Sequence, residues 1–148
     1  MSYTSVVLKN SAKVNFSFPN GKGELVTLPV DKKTNFMIDI DGCLCEHVDN
    51  EEVEKMVTVE PNTDARTKVN KWYDEGHYVC FFTSRLDAHR KVTETWLDIH
   101  GFKYHQIIFN KPRGGNYHYI DDKPIRATRF EGKFSEFVVK KKDIQVFD

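Results

Sequence analysis

Apolar and polar residues alternate in the N-terminal part of the chain. The alternation covers 14–18 and 26–30, on either side of the sequence Pro19-Asn20-Gly21-Lys22-Gly23. Alternation with a period of two around an Asn-Gly pair is typical of two antiparallel strands joined by a turn. We therefore expect a β-hairpin over 14–30, inside an N-terminal extension that occupies residues 1–33.

The middle of the chain alternates between short apolar runs and helical periodicity. Helices are predicted at 62–75, ending at Gly76, and at 87–100, ending at Gly101, while the acidic stretch 43–60 is predicted to be irregular. Val92, Trp96 and Ile99 form the predicted inner face of the second helix. Buried strands are predicted at 35–40, 77–82, 106–109 and 117–120, with a further edge strand near 144–147.

This order of elements predicts the fold class. Strands that alternate with helices pair in parallel through right-handed crossovers. The expected fold is α/β, with a Rossmann-like, doubly wound, mainly parallel sheet and the added N-terminal hairpin. We expect one domain over 1–148, with a core at 35–125 and a C-terminal edge segment at 126–148.

Composition narrows the class of protein further. The chain has 148 residues, with 39% hydrophobic and 30% charged, which is typical of one soluble globular domain. Lys plus Arg and Asp plus Glu are both 22, so zero net charge gives no electrostatic support for a nucleic-acid binder. No apolar run approaches the roughly 20 residues of a membrane helix. Without a secretory signal, and with three cysteines, a cytoplasmic location with reduced thiols and no membrane partner is expected.

Chemically capable side chains follow each predicted core strand. In parallel α/β sheets, ligands bind outside the carboxyl ends of the strands, so these side chains are expected to share one edge. Carboxylates gathered at one place need a cation, and oxygen ligands favour Mg²⁺. The residues concerned are Asp39, Asp41, Thr83, Lys111, Asp121 and Asp122.

Four segments carry a resemblance to a known family. Ile38-Asp39-Ile40-Asp41-Gly42, Phe82-Thr83-Ser84, Lys111 and Ile120-Asp121-Asp122 resemble, in order and spacing, the signature motifs of the haloacid dehalogenase (HAD) phosphatase superfamily. The resemblance covers about 35–125 and implies an Mg²⁺-dependent phosphomonoester hydrolase that forms an aspartyl-phosphate. Cys43 stands where the family usually has Thr, a difference expected to affect the loop more than the chemistry.

The resemblance also implies a role for each motif residue. Asp39 would be the nucleophile, and Asp41 would be the general acid and then the general base. Thr83 would donate a hydrogen bond to a phosphoryl oxygen, and Lys111 would neutralise the phosphate and Asp39. Mg²⁺ would be held by the carboxylates of Asp39 and Asp121 and by the backbone carbonyl of Asp41.

Further residues are expected around this set. Asp122 would support the metal site from behind. Ser84, Arg85 and Arg113 are predicted to bind substrate, with the Arg85 guanidinium as a bidentate phosphate clamp.

Loop lengths bear on the substrate. Once the helix and strand of 62–82 are subtracted, the segment between Asp41 and Thr83 leaves room for a flap but not for a cap domain. The resemblance is therefore to capless members, whose open site suits a large substrate or a homo-oligomer in which a neighbouring subunit closes the pocket. The expected substrate is a small sugar phosphate or related metabolite. The alternative is a nucleotide or a polynucleotide end, as in end-healing phosphatases with an Arg after the second motif.

Proteins of other functional classes carry some of the same residues. A receiver-type signalling module uses Asp, Thr, Lys and Mg²⁺, but its acid pair precedes the phosphoacceptor, the reverse of the order here. A glycosyltransferase with Asp-x-Asp needs a longer chain. The non-enzymatic alternative is a module that binds a phosphate ligand on the same scaffold.

Overall fold

The computed structural model describes residues 32–134 in full, together with the backbone of three strands nearer the N-terminus. These strands are β1 (Val6–Asn10), β2 (Lys13–Pro19) and β3 (Leu25–Pro29), and they form an antiparallel sheet in the order β1-β2-β3. In the pairing of β2 with β3, Phe16 lies opposite Leu28 and Phe18 lies opposite Val26. The turn at 20–24 and the edge strand predicted near 144–147 lie outside the described residues.

A second sheet carries the parallel pairing that the sequence predicts. It contains β4 (Asn35–Ile38), β5 (Tyr78–Phe82) and β6 (Gln106–Ile108) in the order β4-β5-β6. Both pairings are parallel, with Ile38 opposite Phe81 and Phe82 opposite Ile108. The prediction of an α/β fold is therefore confirmed.

The predicted fourth core strand at 117–120 is wrong. The segment 116–121 has no strand or helix, and within residues 32–134 the only strand that pairs with β4 is β5. Tyr117, Tyr119 and Ile120 are exposed. The segment thus buries no face against the sheet, and burial is what normally fixes a short strand in its register.

Three helices connect the core strands. They are α1 (Val53–Thr58), α2 (Ala65–Asp74) and α3 (Arg90–Ile99), the last preceded by a 3₁₀ turn at Asp87–His89. Gly76 ends α2 with a φ of 96°, as the sequence predicts. Helix α1 was not predicted, because its six residues sit in an acidic stretch and only Met56 among them is buried.

The inner face of α3 differs in part from the prediction. Thr93, Trp96 and Leu97 are buried, whereas Ile99 is 73% exposed and Val92 is half-buried. At about 100° per residue, positions 92 and 99 lie roughly a quarter turn or more from the centre of the 93/96/97 face. The Trp96 indole N–H donates to the carbonyl of Val59, 2.7 Å away, and so ties α3 to the chain that follows α1.

Candidate active site

The ends of the three parallel strands bring three of the predicted motifs together. Asp39 directly follows β4, and Thr83 directly follows β5. The Thr83 N–H donates to the Ile108 carbonyl (2.9 Å), and the Lys111 N–H donates to the Thr83 carbonyl (2.9 Å). Main-chain hydrogen bonds between the two segments therefore extend past both strands and fix Lys111 beside Thr83, although the regular ladder is interrupted at Asn110, which has a φ of 65°.

A tight loop after β4 holds the two aspartates of the first motif. The N–H groups of Cys43 and Leu44 both donate to the Ile40 carbonyl, at 3.1 and 2.9 Å. Gly42 has a φ of 91°, a left-handed conformation that costs a residue with a side chain. The first motif requires glycine here because the chain must turn at once after Asp41.

Asp39 and Lys111 form an ion pair at the mouth of the site. The Lys111 Nζ lies 3.0 Å from Oδ1 of Asp39. The Lys111 side chain is largely buried, with its ammonium 5.5 Å from the ring centre of Phe82 and 5.3 Å from that of Tyr117. The Asp39 side chain is 36% exposed. The pair thus presents an accessible carboxylate beside a lysine that two aromatic rings hold in place.

Asp41 is bound by a buried arginine. Nε of Arg85 lies 2.9 Å from Oδ2 of Asp41, and Nη2 lies 2.8 Å from Oδ1. Nη1 donates to Oγ1 of Thr93, 3.0 Å away. The Arg85 side chain is 0% exposed. The predicted role of Arg85 as a phosphate clamp is therefore wrong in this structure, because its donors face Asp41 and Thr93 rather than solvent.

The other predicted contacts are less direct. Thr83 is fully buried, and its Oγ1 accepts a hydrogen bond from the Arg85 N–H at 3.1 Å. Ser84 is half-buried, and Arg113 is exposed. Asn50, which the sequence did not single out, donates to the Ser84 carbonyl at 3.1 Å. A lone Asn in an acidic stretch carried no signal that it would support the second motif.

The two cysteines of the loop are neutral thiols. Burial and, after it, the Asp39 carboxylate raise the pKa of Cys43 to about 12. Burial and the Asp41 carboxylate likewise raise the pKa of Cys45 to about 12. A thiol binds metal or attacks as a nucleophile only when it is deprotonated, so these cysteines are packing residues near neutral pH.

Asp121 and Asp122 make hydrogen bonds within their own segment. Both side chains are exposed, and Asp121 accepts hydrogen bonds from the Tyr119 hydroxyl (2.6 Å) and the Lys123 N–H (3.1 Å). The Tyr119 hydroxyl lowers the pKa of Asp121. Among the described residues, no three His, Cys, Asp or Glu side chains come close enough to hold a metal ion. The carboxylates of Asp39, Asp41 and Asp121 therefore do not form one cluster among the described residues, and that of Asp41 faces Arg85 instead.

A comparison with protein-family models shows which family the chain belongs to. The model of the PITM 1-3, LNS2 domain matches residues 36–126, which is more than half of the chain. The chain belongs to the LNS2 domain family. The LNS2 domain has a HAD-like phosphatase fold, in agreement with the resemblance of the motifs, and the family is associated with phosphatase activity. The match extends across every predicted site residue from Asp39 to Asp122.

Other comparisons add little to the LNS2 relationship. No curated protein matches the chain. A crystal structure of an MCSG target from Vibrio cholerae is 22% identical, with a TM-score of 0.45, and the alignment covers 63% of this chain and 83% of that one. In the part of the LNS2 chain that the structure describes, no helix has the length and apolar character needed to cross a membrane.

Proposed function

We propose that this LNS2 domain hydrolyses phosphomonoesters through a covalent intermediate on Asp39. The observation that supports this most directly is the Asp39–Lys111 ion pair of 3.0 Å. Its carboxylate is open to solvent, and its lysine packs against the ring of Phe82. A carboxylate nucleophile divides one difficult phosphoryl transfer into two easier steps. The neighbouring ammonium would stabilise the charge of the transferring phosphoryl group.

The proposed steps use the chain's own residues. An oxygen of Asp39 forms a bond to phosphorus while the ester P–O bond breaks, and Asp41, protonated in the substrate complex, gives its proton to the departing alkoxide oxygen. Water then attacks the phosphorus of the acyl phosphate, Asp41 takes the water proton, and the bond between phosphorus and Asp39 breaks. Inorganic phosphate and the free carboxylate are the products, so protons and bonds balance over one turnover.

Charge at the site supports an Mg²⁺ requirement, which we also propose. Asp39 and Asp41 are balanced by Lys111 and Arg85 at salt-bridge distances. A phosphate dianion would add negative charge that these two cations do not balance. In phosphoryl-transfer enzymes a divalent metal ion commonly neutralises such charge. We assign no step to the ion, because the predicted ligands do not come together among the described residues.

We propose a small sugar phosphate or related metabolite as the substrate. Zero net charge supports a small ester over a long polyanion. The burial of Arg85 supports it too, because the arginine that resembled end-healing phosphatases is engaged with Asp41. Nucleotides and polynucleotide ends are tested as the alternative.

A substrate panel with a trapping experiment tests the proposal. The panel contains sugar phosphates, nucleotides, and oligonucleotides phosphorylated at the 3′ or 5′ end, each with and without Mg²⁺, and Asp39→Asn is the blank. We expect Mg²⁺-dependent release of phosphate from a sugar phosphate. Intact-mass measurement after a rapid acid quench should find one phosphoryl group on the wild type and none on Asp39→Asn.

Each other outcome has a definite meaning. A preference for oligonucleotide ends would replace the proposed substrate class. Activity that persists in Asp39→Asn would overturn the covalent mechanism. Saturable binding of a phosphate ester without turnover would overturn the enzyme and leave a phosphate-binding module.

A further inference from the structure

Every side-chain nitrogen of Arg85 donates a hydrogen bond to another residue of the protein. Nε and Nη2 bind the two oxygens of Asp41, and Nη1 binds Thr93 in α3. The side chain is completely buried. Taking a guanidinium out of water costs free energy, and a pairing this complete is what makes such a burial tolerable. Because a substrate cannot reach the buried guanidinium, substrate binding does not explain why Arg85 is placed here.

The backbone of Arg85 is fixed as firmly as its side chain. Its N–H donates to Oγ1 of Thr83 at 3.1 Å, and its carbonyl accepts from the Asn110 N–H at 2.8 Å. The side chain is then anchored on α3 through Thr93. The guanidinium plane is thus set by the segments that follow β5 and β6 and by a helix.

Asp41 is the residue that gains from this rigidity. Its backbone lies in the loop that turns at Gly42, and from that loop the Cys45 thiol lies 4.0 Å from Oδ1, a contact with one oxygen that does not fix the plane of the carboxylate. A planar guanidinium that binds both oxygens fixes that plane, which a single point charge cannot do. Fixed geometry matters most for a group that transfers a proton, because misplacement of about 1 Å can cost about 100-fold in rate.

We propose that Arg85 is a positioning residue that orients the Asp41 carboxylate for proton transfer to the leaving group. The inference rests on the proposed phosphatase function. It assigns Arg85 a task other than phosphate binding and makes Thr93 its anchor.

Two esters separate this role from a merely structural one. p-Nitrophenolate leaves without protonation, whereas the alkoxide of an alkyl phosphate such as glycerol 3-phosphate needs a general acid. We measure kcat/KM for both, because it covers the steps up to departure of the leaving group. Arg85→Lys should lower kcat/KM for the alkyl ester about 100-fold more than for the aryl ester, within the range of a general-acid contribution. Asp41→Asn should show the same selectivity.

A gentler variant covers the case in which Arg85→Lys does not fold. Thr93→Val keeps the shape of the anchor and removes the acceptor of Nη1. We expect it to reduce the alkyl-to-aryl ratio about threefold to tenfold, since the bonds to Asp41 remain while their anchor loosens. The matched control is Trp96→Phe, which removes a buried hydrogen bond from the same helix without touching Arg85 and should leave the ratio unchanged.

The outcomes are distinct. Equal losses on both esters in Arg85→Lys, or an unchanged ratio in Thr93→Val, would overturn the positioning role while leaving the phosphatase intact. Failure of the wild type to hydrolyse either ester, or any member of the substrate panel, would overturn the proposed function and this inference with it.

Discussion

The ammonium of Lys111 lies 3.0 Å from Oδ1 of Asp39, although the two residues are 72 positions apart in the chain. The lysine backbone explains how this pair is made, because its N–H donates to the carbonyl of Thr83. The second and third motifs are therefore joined through main-chain atoms, and the third motif reaches the first through a side chain. The position of the Lys111 ammonium relative to Asp39 therefore depends on the main-chain geometry of the sheet.

Replacing Lys111 tests the ion pair. Lys111→Met keeps most of the apolar stem between Phe82 and Tyr117 but removes the charge. We expect kcat/KM for the best phosphate ester to fall about 100-fold to 1,000-fold, the usual effect of losing one preorganised charge-stabilising group. The matched control is Lys103→Met, since Lys103 also pairs with an aspartate at 3.0 Å but does so on the surface. A loss of less than about threefold in Lys111→Met would contradict this role.

Replacing Asp121 tests the metal prediction. The hydrogen bond from Tyr119 lowers the pKa of Asp121, so the carboxylate is available to a cation at neutral pH. We expect Asp121→Asn to raise the Mg²⁺ concentration for half-maximal activity at least about tenfold, measured by titration of metal-free protein. An unchanged titration would place Asp121 outside the metal site, as in the arrangement described here.

Gly42→Ala tests the turn between the two aspartates. Its φ of 91° is unfavourable for alanine, yet no atom lies within 4 Å of the added carbon, so any cost is one of backbone conformation. We expect the free energy of unfolding in urea to fall by about 1–2 kcal/mol and activity to fall with it. Gly132→Ala, at a φ of 99° with equally open space, should cost similar stability and no activity. Full activity in Gly42→Ala would show that the loop tolerates a different turn.

Stability should also depend on the ionisation of His77. Burial lowers the pKa of His77 below its ordinary value of 6.5; Arg126 lowers it further, and Glu75 opposes the shift. Its Nδ1 accepts the Thr34 N–H at 3.1 Å, a bond that protonation there would break. The unfolded chain binds this proton more readily, so the contribution is complete above about pH 6.5 and is lost as the pH falls.

The measurement compares the wild type with His77→Gln. Urea unfolding at several pH values between about 5 and 8 should show a steeper loss of stability towards acid in the wild type. Identical pH profiles would mean that His77 does not contribute, whatever the other histidines do.

Local pattern was enough to predict much of the fold. The apolar run before Thr83 and the periodicity that ends at Gly76 each gave the correct element, because both faces of the strand and one face of the helix are buried. Ile99 was misassigned because an apolar side chain need not be buried, and the sequence does not show which neighbour a helix face meets. The run at 117–120 failed for a similar reason, since its aromatic residues lie in solvent.

The sequence predicted which residues form the site better than it predicted which side chains they contact. Asp39 and Lys111 follow strands, and the parallel sheet brings strand ends together whatever their distance in sequence. The burial of Arg85 was not predictable, because it depends on Asp41, 44 residues earlier, and on Thr93 in a helix. An arginine next to a phosphate-binding motif is naturally assigned to the phosphate until its partners are seen.

The main-chain hydrogen bond between Lys111 and Thr83 sets limits on redesign. One residue more or fewer between β6 and Lys111 would put a different residue in this hydrogen bond and displace the lysine from Asp39. The chain beyond Pro112 has no regular structure as far as Phe134. Tyr117 contacts Lys111 and Asp121 is the predicted metal ligand, so a loop graft meant to alter which esters enter should stay within 113–116 and keep 106–112 residue for residue.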